Sequence, residues 1–216
     1  MKSLGVLMLD TRFPRLPGDI GNPATFDFPV RYKTVRSASP QRVVRERDPA
    51  LLQPFIDAGR ALVAEGASAI TTSCGFLVLF QHELQAALPV PVWSSSLLLL
   101  GDHPHSGIVT VEAASLGADH LLAAGADAKT PLEGLAAGCA FQNTLLNDLP
   151  TLDSNDALLQ VVGAARRLLA RHPALTDIVL ECTNMPPYAD AVRRATGVRV
   201  HDITTLIGAR FPALPH

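Results

Sequence analysis

The sequence predicts an α/β fold of two pseudo-symmetric lobes, each a mostly parallel sheet flanked by helices, with the active site in the cleft between them. Two observations lead to this fold. Short apolar segments rich in β-branched residues alternate with longer amphipathic segments, which is typical of buried parallel strands joined by helices. The order helix, apolar strand, cysteine also occurs twice, ending at Cys74 and at Cys182, which are half the chain length apart.

The apolar segments predict seven strands, at residues 3–9, 29–36, 68–73, 90–93, 106–111, 176–181 and 198–201. We place residues 1–97 and 199–216 in the first lobe and residues 98–198 in the second. The segment 10–28 carries several Pro and Gly residues and is too long for a simple connection, so it is interpreted either as a lid or as a structural Ω-loop.

A helix is predicted before each cysteine-bearing strand. Asp48 and Pro49 form a good N-cap and first turn for the first helix, which ends at Gly66. In the second helix, apolar residues repeat with helical spacing at positions 158, 161, 162, 165, 168 and 169.

The composition is that of a compact globular protein, with 48% hydrophobic and 18% charged residues. The net charge of -2 argues against nucleic acid or an anionic membrane as a partner. The longest aliphatic run, residues 97–100, is too short to cross a membrane, and residues 4–9 lack the flanks of a signal peptide. We therefore expect a cytoplasmic protein with a small-molecule substrate, and the sequence leaves open whether it is a monomer or a homo-oligomer.

The three cysteines are widely spaced and show no metal-binding pairs, so we expect neither a disulfide framework nor a metal site. Cys74 and Cys182 each follow a strand and precede a helix, whose N-terminus is expected to lower the thiol pKa. If the two lobes face each other, one thiol can remove a proton while the other donates one. The alternative is that each is an inert buried side chain, as we predict for Cys139.

These features resemble the aspartate/glutamate racemase superfamily, which includes glutamate, aspartate and hydantoin racemases, maleate isomerase and arylmalonate decarboxylase. Four segments carry the resemblance over essentially the whole chain: residues 5–10, 70–74 and 107–110, and residues 181–183 followed by Pro186. The resemblance implies two pseudo-symmetric lobes, no cofactor, and a cysteine from each lobe acting on the carbon next to a carboxylate.

The resemblance also implies acidic partners for the thiols. Asp10, at the end of the first strand, matches the acidic residue that orients the first cysteine or raises its basicity, although a strand-end Asp can instead cap the following loop. Glu112 is the symmetric candidate beside Cys182, with Glu133 as its competitor.

The chain departs from the amino-acid racemases next to both cysteines. Gly75 and Phe76 follow the first cysteine where Asn-Thr is common, and Asn184 replaces the histidine that often follows Thr183. We expect Thr183, Asn184 and the amides after the first cysteine to hold the substrate carboxylate and the developing enolate charge. Glu181 is expected to point away from the pocket, because neighbouring strand residues face opposite sides.

We therefore predict a cofactor-independent racemase or epimerase of a small carboxylate or amino-acid derivative, with Cys74 and Cys182 as opposed acid and base. Arg12 and Arg15 are further candidates to clamp a carboxylate. The alternatives are a maleate-type cis-trans isomerase with a nucleophilic cysteine, a decarboxylase of the arylmalonate kind, and a non-catalytic carboxylate-binding module.

Overall fold

The computed structural model describes residues 2–215 and contains two four-stranded parallel sheets. The first sheet consists of β1 (Leu4–Leu9), β2 (Val30–Val35), β3 (Ala69–Thr72) and β4 (Val92–Trp93), in the order β2-β1-β3-β4. The second consists of β5 (Ser106–Thr110), β6 (Leu132–Gly134), β7 (Asp177–Leu180) and β8 (Arg199–His201), in the equivalent order β6-β5-β7-β8. This repetition confirms the predicted α/β fold of two similar lobes.

The central strands β1, β3, β5 and β7 are buried along their whole length, which explains why they read as continuous apolar segments. All seven predicted strands are present within a residue or two of their expected ends. The prediction missed β6, whose three residues, Leu132 to Gly134, include a single large apolar side chain and show no recognisable pattern.

Within residues 2–215, seven α-helices cover the sheets: α1 (Leu52–Ala64), α2 (Gln81–Ala87), α3 (Ala118–Ala123), α4 (Ala140–Leu146), α5 (Ser154–Arg171), α6 (Ala189–Thr196) and α7 (Ile203–Arg210). The first predicted helix is present, because Asp48 caps a 3-10 turn at Pro49 that leads into α1. The α5 helix is also confirmed, but its buried face contains Ala157 and Ala164 where the prediction had Leu158, which is exposed.

The C-terminal segment contributes to both lobes. Strand β8 pairs with β7 in the second sheet, whereas α7 packs its Ile203, Leu206 and Ile207 against Leu4 and Val6 of β1. Among residues 2–215, no helix combines the length and the apolar character needed to cross a bilayer.

The segment 10–28 has neither helix nor strand but contacts both lobes. Its Phe13 and Ile20 are buried. The Ile20 amide lies 3.5 Å from the Thr183 carbonyl oxygen, and Arg12 bonds to Asp148 through both its amide and its guanidinium. The segment therefore connects the first lobe to the second beside the ends of β3 and β7.

Candidate active site

A narrow cleft lies between the lobes, at the carboxyl ends of β1, β3, β5 and β7. This is where parallel α/β sheets place their ligands. Most of the lining is apolar, and the polar side chains come from the segments that follow β3 and β7. The lining residues are Leu9, Phe13, Pro40, Val44, Ser73, Cys74, Gly75, Phe76, Val111, Leu145, Leu146, Glu181, Cys182, Thr183 and Asn184.

Cys74 lies just past β3 in extended conformation and begins a 3-10 turn over Gly75–Phe80. The amides of Phe76 and Leu77 favour its thiolate, as expected at the start of a helical turn. Burial, reinforced by the Glu181 carboxylate, nevertheless raises the Cys74 pKa to about 12. The predicted lowering of this pKa is therefore wrong, because desolvation exceeds the effect of the two amides.

Cys182 begins the equivalent segment after β7, and the same causes, burial first and Glu181 second, raise its pKa well above the ordinary range. Its thiol donates to Asn184 Oδ1 at 3.4 Å, while Asn184 Nδ2 donates to Asp19 Oδ2 at 2.5 Å. Asp19 in turn accepts from Arg15 Nη1 at 2.9 Å. Asn184 thus orients the thiol without titrating itself, and a buried ion pair of segment 10–28 holds Asn184 in place.

Thr183 lines the cleft but uses its hydroxyl to join the lobes. Its Oγ1 donates to the Ser73 carbonyl oxygen at 2.7 Å, and Ser73 Oγ accepts from the Leu9 amide at 2.9 Å. The expected role of Thr183 in binding a carboxylate therefore remains a prediction, whereas its bond to the first lobe is part of the structure.

Glu181 lies in the cleft, contrary to the expectation that it would point away. Strand β7 ends at Leu180, so the alternation of a strand does not set the direction of the Glu181 side chain. Its Oε2 accepts from Thr110 Oγ1 at 2.8 Å, and its Oε1 has no hydrogen-bond partner among residues 2–215. Burial raises the Glu181 pKa to about 7, with the Thr110 bond opposing the shift. The sequence signal that could have identified Glu181 is a glutamate directly after a buried apolar strand.

The other predicted acids lie outside the cleft. Asp10 is exposed, and its Oδ2 accepts from the Ser37 amide at 3.2 Å, which fits the loop-capping alternative rather than a role beside Cys74. Glu112 pairs with Arg45 at 2.8 Å. Neither acid lines the cleft.

The remaining predicted charges are also paired. Arg12 pairs with Asp148 at 3.2 Å and is largely exposed, whereas Arg15 pairs with the buried Asp19. Glu133 pairs with Arg167 at 3.0 Å, on the surface of the second lobe. Neither Arg12 nor Arg15 lines the cleft, so neither is free to clamp a ligand there.

One group of metal-ligand type lies far along the second sheet from the cysteines, at the start of β7 and the end of β8. Ligand atoms of His103, Asp177 and His201 lie within 4.8 Å of one another. Asp177 already accepts hydrogen bonds from Arg199 Nε, Arg199 Nη2 and Thr176 Oγ1, each at 2.7 Å. Because the adjacent guanidinium repels a cation, this cluster is best described as an ion-pair network.

No protein-family model matches the chain. Among curated proteins, it is 35% identical to the dimethylsulfoniopropionate lyase of Durusdinium sp. clade D, over 97% of this chain and 73% of that protein. It is 31% identical to dimethylsulfoniopropionate lyase 7 of Emiliania huxleyi (strain CCMP1516), over 98% of this chain and 67% of that protein.

Solved structures of similar fold include the allantoin racemase from Klebsiella pneumoniae (TM-score 0.66, 15% identity, 99% of this chain and 87% of that chain). Unliganded arylmalonate decarboxylase is similar at TM-score 0.62 and 17% identity, over 93% of this chain and 86% of that chain. These likenesses confirm the predicted fold of the aspartate/glutamate racemase superfamily.

Proposed function

The chain belongs to the dimethylsulfoniopropionate lyase family, and from that premise we propose that it eliminates dimethyl sulfide from dimethylsulfoniopropionate and leaves acrylate. The observation that carries this proposal is the near full-length similarity to such lyases in a chain whose cleft contains two cysteine thiols. The substrate has a carboxylate at one end and a dimethylsulfonium group two carbons away, and a lyase breaks the bond between carbon and sulfur.

The predicted racemase or epimerase, and with it the isomerase class, is wrong for a chain whose curated relatives are lyases. Racemisation and this elimination both begin when a base removes the proton on the carbon next to a carboxylate. A racemase returns a proton to that carbon, whereas the lyase expels a group from the neighbouring carbon. Because a cysteine base can remove this proton in either reaction, the two cysteines alone did not distinguish racemisation from elimination.

The geometry supports a thiolate base. In the proposed reaction, a thiolate from Cys74 or Cys182 removes a C2 proton, the C2–H electron pair forms the C2–C3 double bond, and the C3–S pair leaves with dimethyl sulfide. Burial raises the pKa of both thiols. A sulfonium cation entering that apolar cleft favours the charged form of a nearby thiol.

The lining matches the two ends of this substrate. Apolar side chains, among them Leu145 and Leu146, can contact the methyl groups on sulfur. The backbone amides after Cys74 and the Asn184 carboxamide supply donors for the carboxylate and for the negative charge that develops on it as the C2 proton is removed.

A headspace assay tests the proposed function. The purified chain is incubated with dimethylsulfoniopropionate, dimethyl sulfide is measured by gas chromatography, and acrylate by proton NMR. We expect equal amounts of both products. Exchange of C2 protons in deuterated water without release of dimethyl sulfide would contradict the proposal.

Cysteine variants test the base. We expect Cys74→Ser or Cys182→Ser, whichever removes the base, to lower kcat/KM at least about a hundredfold, because a hydroxyl is a far weaker base than a thiol at neutral pH. Cys139→Ser is the matched control, since Cys139 caps α4 outside the cleft and Ser can accept the same Gln142 amide bond. Wild-type rates in both cleft variants would refute a cysteine base.

A further inference from the structure

We propose that Glu181 is a positioning residue that takes the proton from whichever cleft thiol acts as base, so that a carboxylate and two thiols share one negative charge. This inference rests on the proposed function, because it supplies the step by which a buried thiol becomes the thiolate that the elimination needs. It assigns to Glu181 the role of acidic partner that the family resemblance implied for Asp10.

The Glu181 carboxyl lines the same cleft as the two thiols and is held there by residues of both lobes. Its backbone is joined to Cys182, and its side chain extends to the residue after Cys74. A Cβ added to Gly75 would lie 2.2 Å from Glu181 Oε1, so the absence of a side chain at Gly75 makes room for the carboxyl. Thr110 holds Oε2 from β5. Oε1 is thereby directed to the first lobe beside Cys74.

The unpaired oxygen argues for a chemical role. Buried polar atoms are nearly always hydrogen-bonded, and one that is not needs an explanation. Glu181 is 1% exposed, yet its Oε1 lacks a partner among the described residues while the cleft beside it is open to a ligand. A purely structural carboxyl at this position would have both oxygens satisfied.

The titrations of Glu181, Cys74 and Cys182 are coupled to one another and to the groups around them. From β5, Thr110 faces Glu181 and favours its ionised form. Burial first and the Glu181 charge second raise the pKa of Cys74 and of Cys182, which lie in the segments after β3 and β7.

More distant charges act on the thiols as well. Arg15 opposes the rise that burial causes in the Cys74 pKa, and Asp19 adds to the rise that burial causes in the Cys182 pKa. Ser96 Oγ donates to the backbone carbonyls of Leu180 and Glu181. Of Glu181 and the two thiols, Glu181 therefore ionises first, and a thiolate forms when Glu181 takes its proton.

The step balances as a proton transfer. The thiol S–H bond breaks, its proton bonds to a Glu181 oxygen, and the electron pair stays on sulfur as the thiolate. The thiolate then removes the C2 proton, the sulfonium leaves as neutral dimethyl sulfide, and the thiol is restored. Glu181 returns its proton to water, so the net reaction releases one proton with acrylate and dimethyl sulfide.

Two measurements on Glu181→Gln test this inference. Removing the carboxylate removes the charge that disfavours thiolates, so we expect iodoacetamide to alkylate Cys74 about tenfold faster at about pH 7.5. The same variant lacks the proton acceptor, so kcat/KM for elimination should fall about a hundredfold. Peptide mass spectrometry reports each cysteine separately, with Cys139 as an internal control whose rate stays unchanged.

The opposite signs of these effects distinguish the proposal from a structural role. A merely structural Glu181 would lose turnover without faster Cys74 alkylation, and that result would overturn the inference, as would a wild-type kcat/KM in Glu181→Gln. Glu83→Gln, the same change on the exposed face of α2, is the matched control and should alter neither rate. Alkylation needs no substrate, so it tests the coupling even if the chain releases no dimethyl sulfide.

A second variant keeps the test informative if Glu181→Gln does not fold. Thr110→Val retains the carboxyl but removes the donor that stabilises its ionised form, so the Glu181 pKa should rise. We expect the lower limb of the pH profile of kcat/KM to move to higher pH. An unchanged profile in a folded Thr110→Val variant would overturn the inference.

Discussion

Substituting Gly75 by Ala tests the close contact between the lobes. The added Cβ would lie 2.2 Å from Glu181 Oε1 and 2.4 Å from the Glu181 carbonyl oxygen, whereas favourable contacts need about 3.5 Å. The carboxyl can rotate away, but the carbonyl belongs to a backbone that the Glu181 amide ties to the Val109 carbonyl oxygen at 2.8 Å. The segments after β3 and β7 must therefore separate by about 1 Å.

Such overpacking costs about 2 kcal/mol, which corresponds to a fall in Tm of about 4–8 °C for a chain of this length. We expect calorimetry to show this fall for Gly75→Ala, and kcat/KM to drop further than stability alone explains, because Glu181 is displaced. Gly208→Ala is the matched control: its Cβ meets nothing within 4 Å on the exposed side of α7. A Gly75→Ala variant with wild-type Tm and kcat/KM would refute the contact.

Three further predictions concern stability. Between about pH 4.5 and 7, Glu181 keeps its proton in the folded state but has lost it in the unfolded state. The free energy of unfolding should therefore fall by about 3 kcal/mol as the pH rises through this range. Urea titrations should show this fall in the wild type and not in Glu181→Gln. Thr183→Val should cost about 1–3 kcal/mol by leaving the Ser73 carbonyl unpaired, whereas Thr183→Ser should cost less. Arg199 holds the pKa of Asp177 well below its usual range, so Asp177→Asn should destabilise the protein at neutral pH, and the difference from wild type should shrink as the pH falls below about 4.

The sequence predicted the positions of the two cysteines because those positions depend on local patterns. Two continuous apolar strands identify the centre of each sheet, and parallel strands bring their carboxyl ends to one edge. Cys74 and Cys182 follow such strands directly, so their presence in one cleft followed from periodicity and repetition.

The acidic partner could not be predicted in the same way. Asp10 also follows a central strand, but its side chain bonds the Ser37 amide, which reaches that position only once the loop after β2 has folded. The direction of Glu181 depends on Gly75 and Thr110, which come from different lobes and are distant in the sequence. Long-range packing therefore determines which acidic side chain enters the cleft, and no local sequence pattern encodes that packing.

The charge of the cleft indicates which substrates it can accept. Glu181 is the one carboxylate in the lining, which contains no Lys, Arg or His among the described residues. A dicarboxylate such as glutamate would place its second negative charge near Glu181 without a cation to pair it, at a cost of several kcal/mol. A zwitterion with one carboxylate and one sulfonium group brings no net charge, and its cation is attracted by the negative charge that Glu181 and the thiols share. Under the proposed function, this acid would therefore favour a sulfonium zwitterion over a dicarboxylate.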